Sequence, residues 1–143
     1  MALVAVLVAC ATACAGRIPR SHVPDPDQAA WAPYPPLRAL QGRASYYHDS
    51  LAGNLTANGD VYDLDRLTAA SRDLPFGTIV RVIRLDTGAY VVVRINDRGP
   101  FGDHRRILDL SRAAAARLGM LQRGVVPIRA EILAWGRERY RRH

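Results

Sequence analysis

The sequence predicts a mainly β protein, a small barrel with one short inserted α-helix, preceded by a signal segment and a proline-rich tether. Three observations carry this. Many short β-branched or alternating runs fall within roughly ninety residues, bounded by Gly, Pro, Asn and Asp. One alanine-rich stretch has helical start and stop signals. Prolines and small apolar residues fill the first forty positions without the periodicity of a core.

Residues 1–15 are a run of Ala, Val and Leu, too short to span a bilayer and suited to the apolar part of a secretory signal. Leu7-Val8-Ala9-Cys10 resembles a bacterial lipoprotein cleavage box and Ala11-Thr12-Ala13-Cys14 is a second candidate, so Cys10 or Cys14 is the expected lipidation site. Residues 16–41 contain Pro19, Pro24, Pro26, Pro33, Pro35 and Pro36, and are expected to be an extended, mostly unpacked tether. An anchor, a tether and a compact domain imply a bacterial envelope protein on the periplasmic side of a membrane.

The compact domain is expected over residues 42–134, followed by a basic tail at 135–143. Ala44–Tyr47 reads as the first strand, His48–Gly59 as loop, and Leu67–Ala70 as a short strand. Leu74-Pro75-Phe76-Gly77 turns into a strand over Thr78–Leu85, Asp86-Thr87-Gly88 forms a hairpin turn, and Ala89–Ile95 returns as the central strand. Ile107–Leu110 is extended, Ser111 caps a helix over Arg112–Leu118 that stops at Gly119, and Val125–Leu133 is the last strand.

All twenty basic residues are arginine and the formal charge is +7, which favours a polyanionic neighbour such as phospholipid, nucleic acid or a wall polymer. No basic-aromatic platform accompanies the charge, which argues against nucleic acid. Beyond Cys14 there is no cysteine, so the domain uses neither disulfides nor thiolate ligands. His48 and His104 lack the spacing of a metal site, and neither a metal nor another cofactor is expected.

The organising stretch is Val91–Gly99, VVVRINDRG, in which a buried strand delivers Asp97 and Arg98 at a turn. With Gly42–Tyr47, Thr56–Asp60, Tyr62-Asp63, Leu67–Ala70, Leu74–Thr78, Val92–Phe101 and Asp109–Ser111, in that order, the chain strongly resembles the rare lipoprotein A (RlpA) family of septal-ring lytic transglycosylases. The resemblance implies a six-stranded double-psi β-barrel, shared with expansins. It also implies cleavage of the bond between N-acetylmuramic acid (MurNAc) and N-acetylglucosamine (GlcNAc) in peptidoglycan, leaving 1,6-anhydroMurNAc ends. One carboxyl group can serve as acid and then base, so the two-carboxylate spacing of hydrolases is not required.

Asp60, Asp63, Asp97 and Asp109 compete for the acid; from this resemblance Asp60, Asp63 and Asp97 are the expected catalytic residues, and with Asp60 as the acid Asp63 would raise its pKa by like-charge repulsion while Asp97 stabilises the charge. Ser45, Tyr47, Thr56, Asn58, Ser71, Asn96, Arg98 and Asp109 are expected to bind substrate, and expansin-type barrels place Asp97 and Asp109 together in the glycan groove. Arg98 would favour an ionised Asp97 if its head group turned inward. The chain departs from the family at Ser71, where active members carry histidine, and at Asp60, where they carry glutamate. A glycan-binding module would tolerate both changes. The chain is therefore a lytic transglycosylase or a non-catalytic wall-binding barrel, expected to work as a monomer.

Overall fold

The computed structural model describes residues 23–137, so the cleavage boxes at Cys10 and Cys14 lie outside the described residues. Six strands close a barrel: β1 (Arg38–Tyr46), β2 (Thr68–Ala70), β3 (Ile79–Arg84), β4 (Tyr90–Asp97), β5 (Arg106–Leu110) and β6 (Val126–Ala134). Their order around the barrel is β1-β5-β2-β4-β3-β6. β1 runs parallel to β5 and β2 parallel to β4, whereas the other neighbours are antiparallel. The loops of residues 47–67 and 98–105 join strands that are not neighbours, β1 to β2 past β5 and β4 to β5 past β2, and both reach the candidate site.

Alternation fills the barrel. Val80 and Val82 of β3, Val91, Val93 and Ile95 of β4, and Leu108 and Leu110 of β5 meet Ile128, Ala130 and Ile132 of β6 in one core cluster. Helix α2 (Arg112–Arg117) adds Ala114 and Ala115 to it, with Leu118 and Met120 from the turn that follows. Ser111 starts that helix by accepting the Ala114 N–H at 3.2 Å, and Arg84 ends it by donating to the carbonyls of Leu118 and Gly119.

The expected unpacked tether is corrected over its described part. Residues 23–37 lie against the outside of the barrel, with a single helical turn, α1 (Gln28–Trp31). β2 pairs with β4 only from Arg94 onward, which leaves the earlier edge of β4 open. Gln28 closes it, with Nε2 donating to the Val92 carbonyl at 2.8 Å and Oε1 accepting the Val92 N–H at 2.7 Å. Asp25 accepts the Leu67 N–H, and Arg81 Nη2 donates to the carbonyls of Trp31, Ala32 and Tyr34. Trp31 packs with Ile79, Val92 and Leu133 in a second cluster outside the barrel. This cover explains why Val91, Val92 and Val93 form an unbroken apolar run, because the strand is buried on both faces.

β1 also begins earlier than expected, at Arg38, because its first half pairs with β6 from Arg38↔Ile132 to Ala44↔Val126. No helix among the described residues is long and apolar enough to cross a membrane.

Candidate active site

A bulge creates the site. Alternation along β4 directs Val91, Val93 and Ile95 inward and Val92 and Arg94 outward, and would send Asp97 in with the core. The register against β2 slips between Ala69↔Ile95 and Ala70↔Asp97, and this extra residue re-aims Asp97 outward. Ala70 pairs on its other side with Asp109, and Asp109 with Ser45. Ser45, Asp109, Ala70 and Asp97 therefore form one rung across β1, β5, β2 and β4, with the two aspartates two strand spacings apart, roughly 10 Å between Cα atoms.

Asp97 is held from three sides. Its Oδ1 accepts the backbone N–H groups of Ala57 and Arg98, both at 2.8 Å, and its Oδ2 accepts the Tyr47 hydroxyl at 2.5 Å. Tyr47 is buried, edge-on to Tyr62 at 4.7 Å between ring centroids, and both pack on Ala70. Burial pushes the Tyr47 phenol well above its ordinary range, so it stays a donor to Asp97.

Asp109 accepts the Ser45 hydroxyl at 3.1 Å, and Ser45 Oγ in turn accepts Arg106 Nη1 at 3.0 Å. Burial raises the Asp109 carboxyl above the usual carboxylate range; the Ser45 bond and the Arg106 charge oppose the shift, and Asp97 adds to it. Asp109 is thus the carboxyl group here that burial biases towards carrying a proton. The cap of α2 belongs to Ser111, which leaves Asp109 to the site.

Asp60 occupies a neighbouring station. Its Oδ2 accepts Asn58 Nδ2 at 3.1 Å and Asn96 Nδ2 at 3.3 Å. The loop that carries it is shaped by Thr56, whose buried hydroxyl donates to Asn58 Oδ1 at 2.7 Å, and by the Asn58 N–H, which donates to the Asn96 carbonyl. Residues 56–60 thereby bridge the two stations, since Ala57 bonds Asp97 while Asn58 bonds Asp60. Asn96 Oδ1 is the single buried side-chain oxygen or nitrogen among the described residues that lacks a partner, leaving an unused acceptor beside Asp60.

Asp60 and Asp63 both line a cavity of about 450 Å³ with Arg66, Arg94, Asn96 and Asp25. Asp63 accepts the Asp65 N–H at 2.9 Å and faces Arg66 at 3.6 Å, in an exposed turn. Arg98 Nη1 donates to the carbonyls of Ser71 and Leu74, and its guanidinium lies 3.9 Å from the centre of the Phe76 ring. It braces the loop after β2 through those contacts. Ser71 is buried, and its hydroxyl accepts the N–H groups of Asp73 and Leu74. Among the described residues no three His, Cys, Asp or Glu side chains converge as metal ligands.

Residue reasoning missed Arg106, Ala70 and the bulge.

Residues 39–130 match the family model described as lytic transglycolase. The chain belongs to the lytic transglycolase family. Over its barrel the chain is 51% identical across 88 residues to a probable endolytic peptidoglycan transglycosylase RlpA of Treponema pallidum, covering 62% of this chain and 27% of that protein. It is 47% identical across 92 residues to the endolytic peptidoglycan transglycosylase RlpA of Vibrio cholerae, covering 64% and 35%. The chain thus spans about a quarter to a third of the length of these relatives. Among solved structures, a Streptomyces papain inhibitor aligns with a TM-score of 0.55 at 27% identity, over 71% of this chain and 99% of that one. An expansin of Clavibacter michiganensis, in complex with cellohexaose, aligns at 0.54 and 22% identity, over 68% and 51%, and shares the fold. The barrel of this chain is a six-stranded double-psi barrel.

Proposed function

We propose that the protein is a peptidoglycan lytic transglycosylase that cleaves the MurNAc–GlcNAc bond and leaves 1,6-anhydroMurNAc ends. The relatives named endolytic peptidoglycan transglycosylases support the reaction class. The observation that carries the mechanism is the rung in which Asp97 and a proton-biased Asp109 flank Ala70. In this reading Asp109 donates its proton to the glycosidic oxygen as the C1–O4 bond breaks. Asp97, fixed by three donors, faces the oxocarbenium-like charge. The MurNAc 6-hydroxyl then closes on C1, and Asp109 takes back the hydroxyl proton, so no water enters and the carboxyl group ends as it began. Asp60, Asn58 and Asn96 hold a neighbouring sugar. This assigns the acid to Asp109 and moves Asp60 to binding, because burial acts on Asp109 whereas Asp60 is bonded to two amides.

The protein works on the periplasmic side of a bacterial membrane, as a monomer anchored through lipid on Cys10 or Cys14. Metabolic labelling with palmitate tests the anchor: Cys10→Ser or Cys14→Ser should abolish the label, and persistence of membrane recovery in both variants contradicts it.

A second reading, a wall-binding barrel without bond cleavage, is favoured by Ser71. Its hydroxyl is spent on its own turn and offers no titratable group where active relatives are expected to have histidine. Isolated sacculi incubated with the full chain decide between the two. Release of anhydro-ended fragments, read by mass spectrometry, supports the enzyme. Binding without release, reversed in Ser71→His, identifies Ser71 as the defect. Binding without release in both leaves the wall-binding barrel.

A further inference from the structure

We propose that Phe101 is a sugar-stacking platform of the glycan groove, beside the Asp97–Asp109 rung. The proposal rests on the reading of a glycan as the occupant of this face and does not require that the glycan be cut. Phe101 is 71% exposed, the most exposed large apolar side chain among the described residues. Scattered surface hydrophobics are ordinary, so exposure alone assigns nothing; the position and the support of this ring do.

A Cβ placed on Gly99 would lie 3.7 Å from the Phe101 ring and 3.9 Å from Ala70 Cβ. The ring therefore stands one methyl-sized gap from the residue that the two aspartates flank. The backbone that carries it is pinned at both of its last two carbonyls. Arg72 Nη1 donates to the Pro100 carbonyl at 2.6 Å, and Arg106 Nη2 donates to the Phe101 carbonyl at 2.9 Å. The other arm of Arg106 reaches Ser45 Oγ, the hydroxyl that bonds Asp109. One guanidinium thus ties the ring's backbone to the carboxyl group proposed to carry the proton.

A ring held out into solvent on a fixed loop loses little conformational freedom when it is covered, which favours binding. The chemistry around it selects the partner. A pyranose presents C–H groups on one face, which suit an aromatic ring, and hydroxyls at its rim, which suit Asp97, Asp109 and Ser45. The carboxylates of a stem peptide would meet two aspartates instead. The platform therefore selects an N-acetylhexosamine of the glycan strand over its peptide.

The test compares full-length wild type, Phe101→Ala and Phe101→Trp on glycan strands stripped of stem peptides by an amidase. Phe101→Ala should weaken binding about tenfold, and Phe101→Trp should restore it to within about twofold. Both variants should keep the thermal midpoint of the wild type, since the ring is exposed. Wild-type binding by Phe101→Ala, with unchanged kcat and KM where cleavage occurs, overturns the platform and leaves the lytic reading standing. Loss of binding in Phe101→Ala, in a protein whose wild type binds but releases no anhydro ends, sustains the platform and sinks the lytic reading.

Discussion

Asp109 is half-buried, and the desolvation that favours its proton has a stability consequence. Burial raises its folded-state pKa above the unfolded value of about 3.9, with Asp97 adding to the rise. The native state then binds the proton more tightly than the unfolded chain. The stability this contributes is fully present below about pH 4 and is lost as pH rises through the folded value. Asp109→Asn should therefore melt at a higher temperature than wild type at neutral pH, and the gap should close as the pH falls towards 4. Its rate of anhydro-end formation should fall at least about tenfold to a hundredfold. Ser45→Ala gives an independent check. The Ser45 hydroxyl bond holds the Asp109 pKa down, so its loss should move the alkaline limb of the activity profile to higher pH. A limb that stays in place would mean that Asp109 does not titrate in the reaction.

The strap formed by residues 23–37 makes its case at the level of elements. Gln28 pairs with Val92 as a strand would, and Arg81 joins the strap to Glu131, its Nη1 lying 3.0 Å from Oε1 with both side chains nearly buried. Arg81→Ala strands Glu131 beside only Arg129 and releases three strap carbonyls, a loss of about 3 kcal/mol. Gln28→Ala orphans one edge of β4 and should cost about 1–3 kcal/mol. Chemical denaturation measures both, and limited proteolysis should cut within residues 23–37 of the Arg81 variant first. The sequence made β3 and β4 legible, because Ile79, Val80, Arg81 and Val82 alternate and Asp86-Thr87-Gly88 closes their hairpin. The strap escaped notice because its anchors are single amides and carboxylates on backbone groups, which leave no periodic trace. The first half of β1 escaped because Arg38, Ala39 and Gln41 are exposed and carry no apolar signal.

At the scale of the molecule, two parallel pairs woven through one barrel put distant motifs on one face. Asp97 and Asp109 lie twelve positions apart and meet only because β2 sits between their strands. No periodicity in the chain announces that order; family resemblance supplied it. The bulge at the end of β4 is hidden for the same reason, since strict alternation would have turned Asp97 into the core. What residue types did convey was the set of carboxylates, and what they left undecided was the division of labour between Asp60 and Asp109. In the proposed reading Asp109 takes the acid's part because desolvation raises its carboxyl pKa, and that desolvation depends on tertiary contacts between β1, β2 and β5.

The central claim is that the Asp97–Asp109 rung cleaves glycan without water. Single-turnover release from sacculi, compared for wild type, Asp109→Asn, Asp97→Asn and Asp60→Asn, tests it most directly. Wild type should yield fragments ending in 1,6-anhydroMurNAc. The Asp109 and Asp97 variants should each lose at least about tenfold to a hundredfold of the rate while still sedimenting with sacculi, and Asp60→Asn should weaken binding more than the chemical step. Reducing ends in place of anhydro ends, or an Asp109→Asn protein that cleaves at the wild-type rate, would contradict the account.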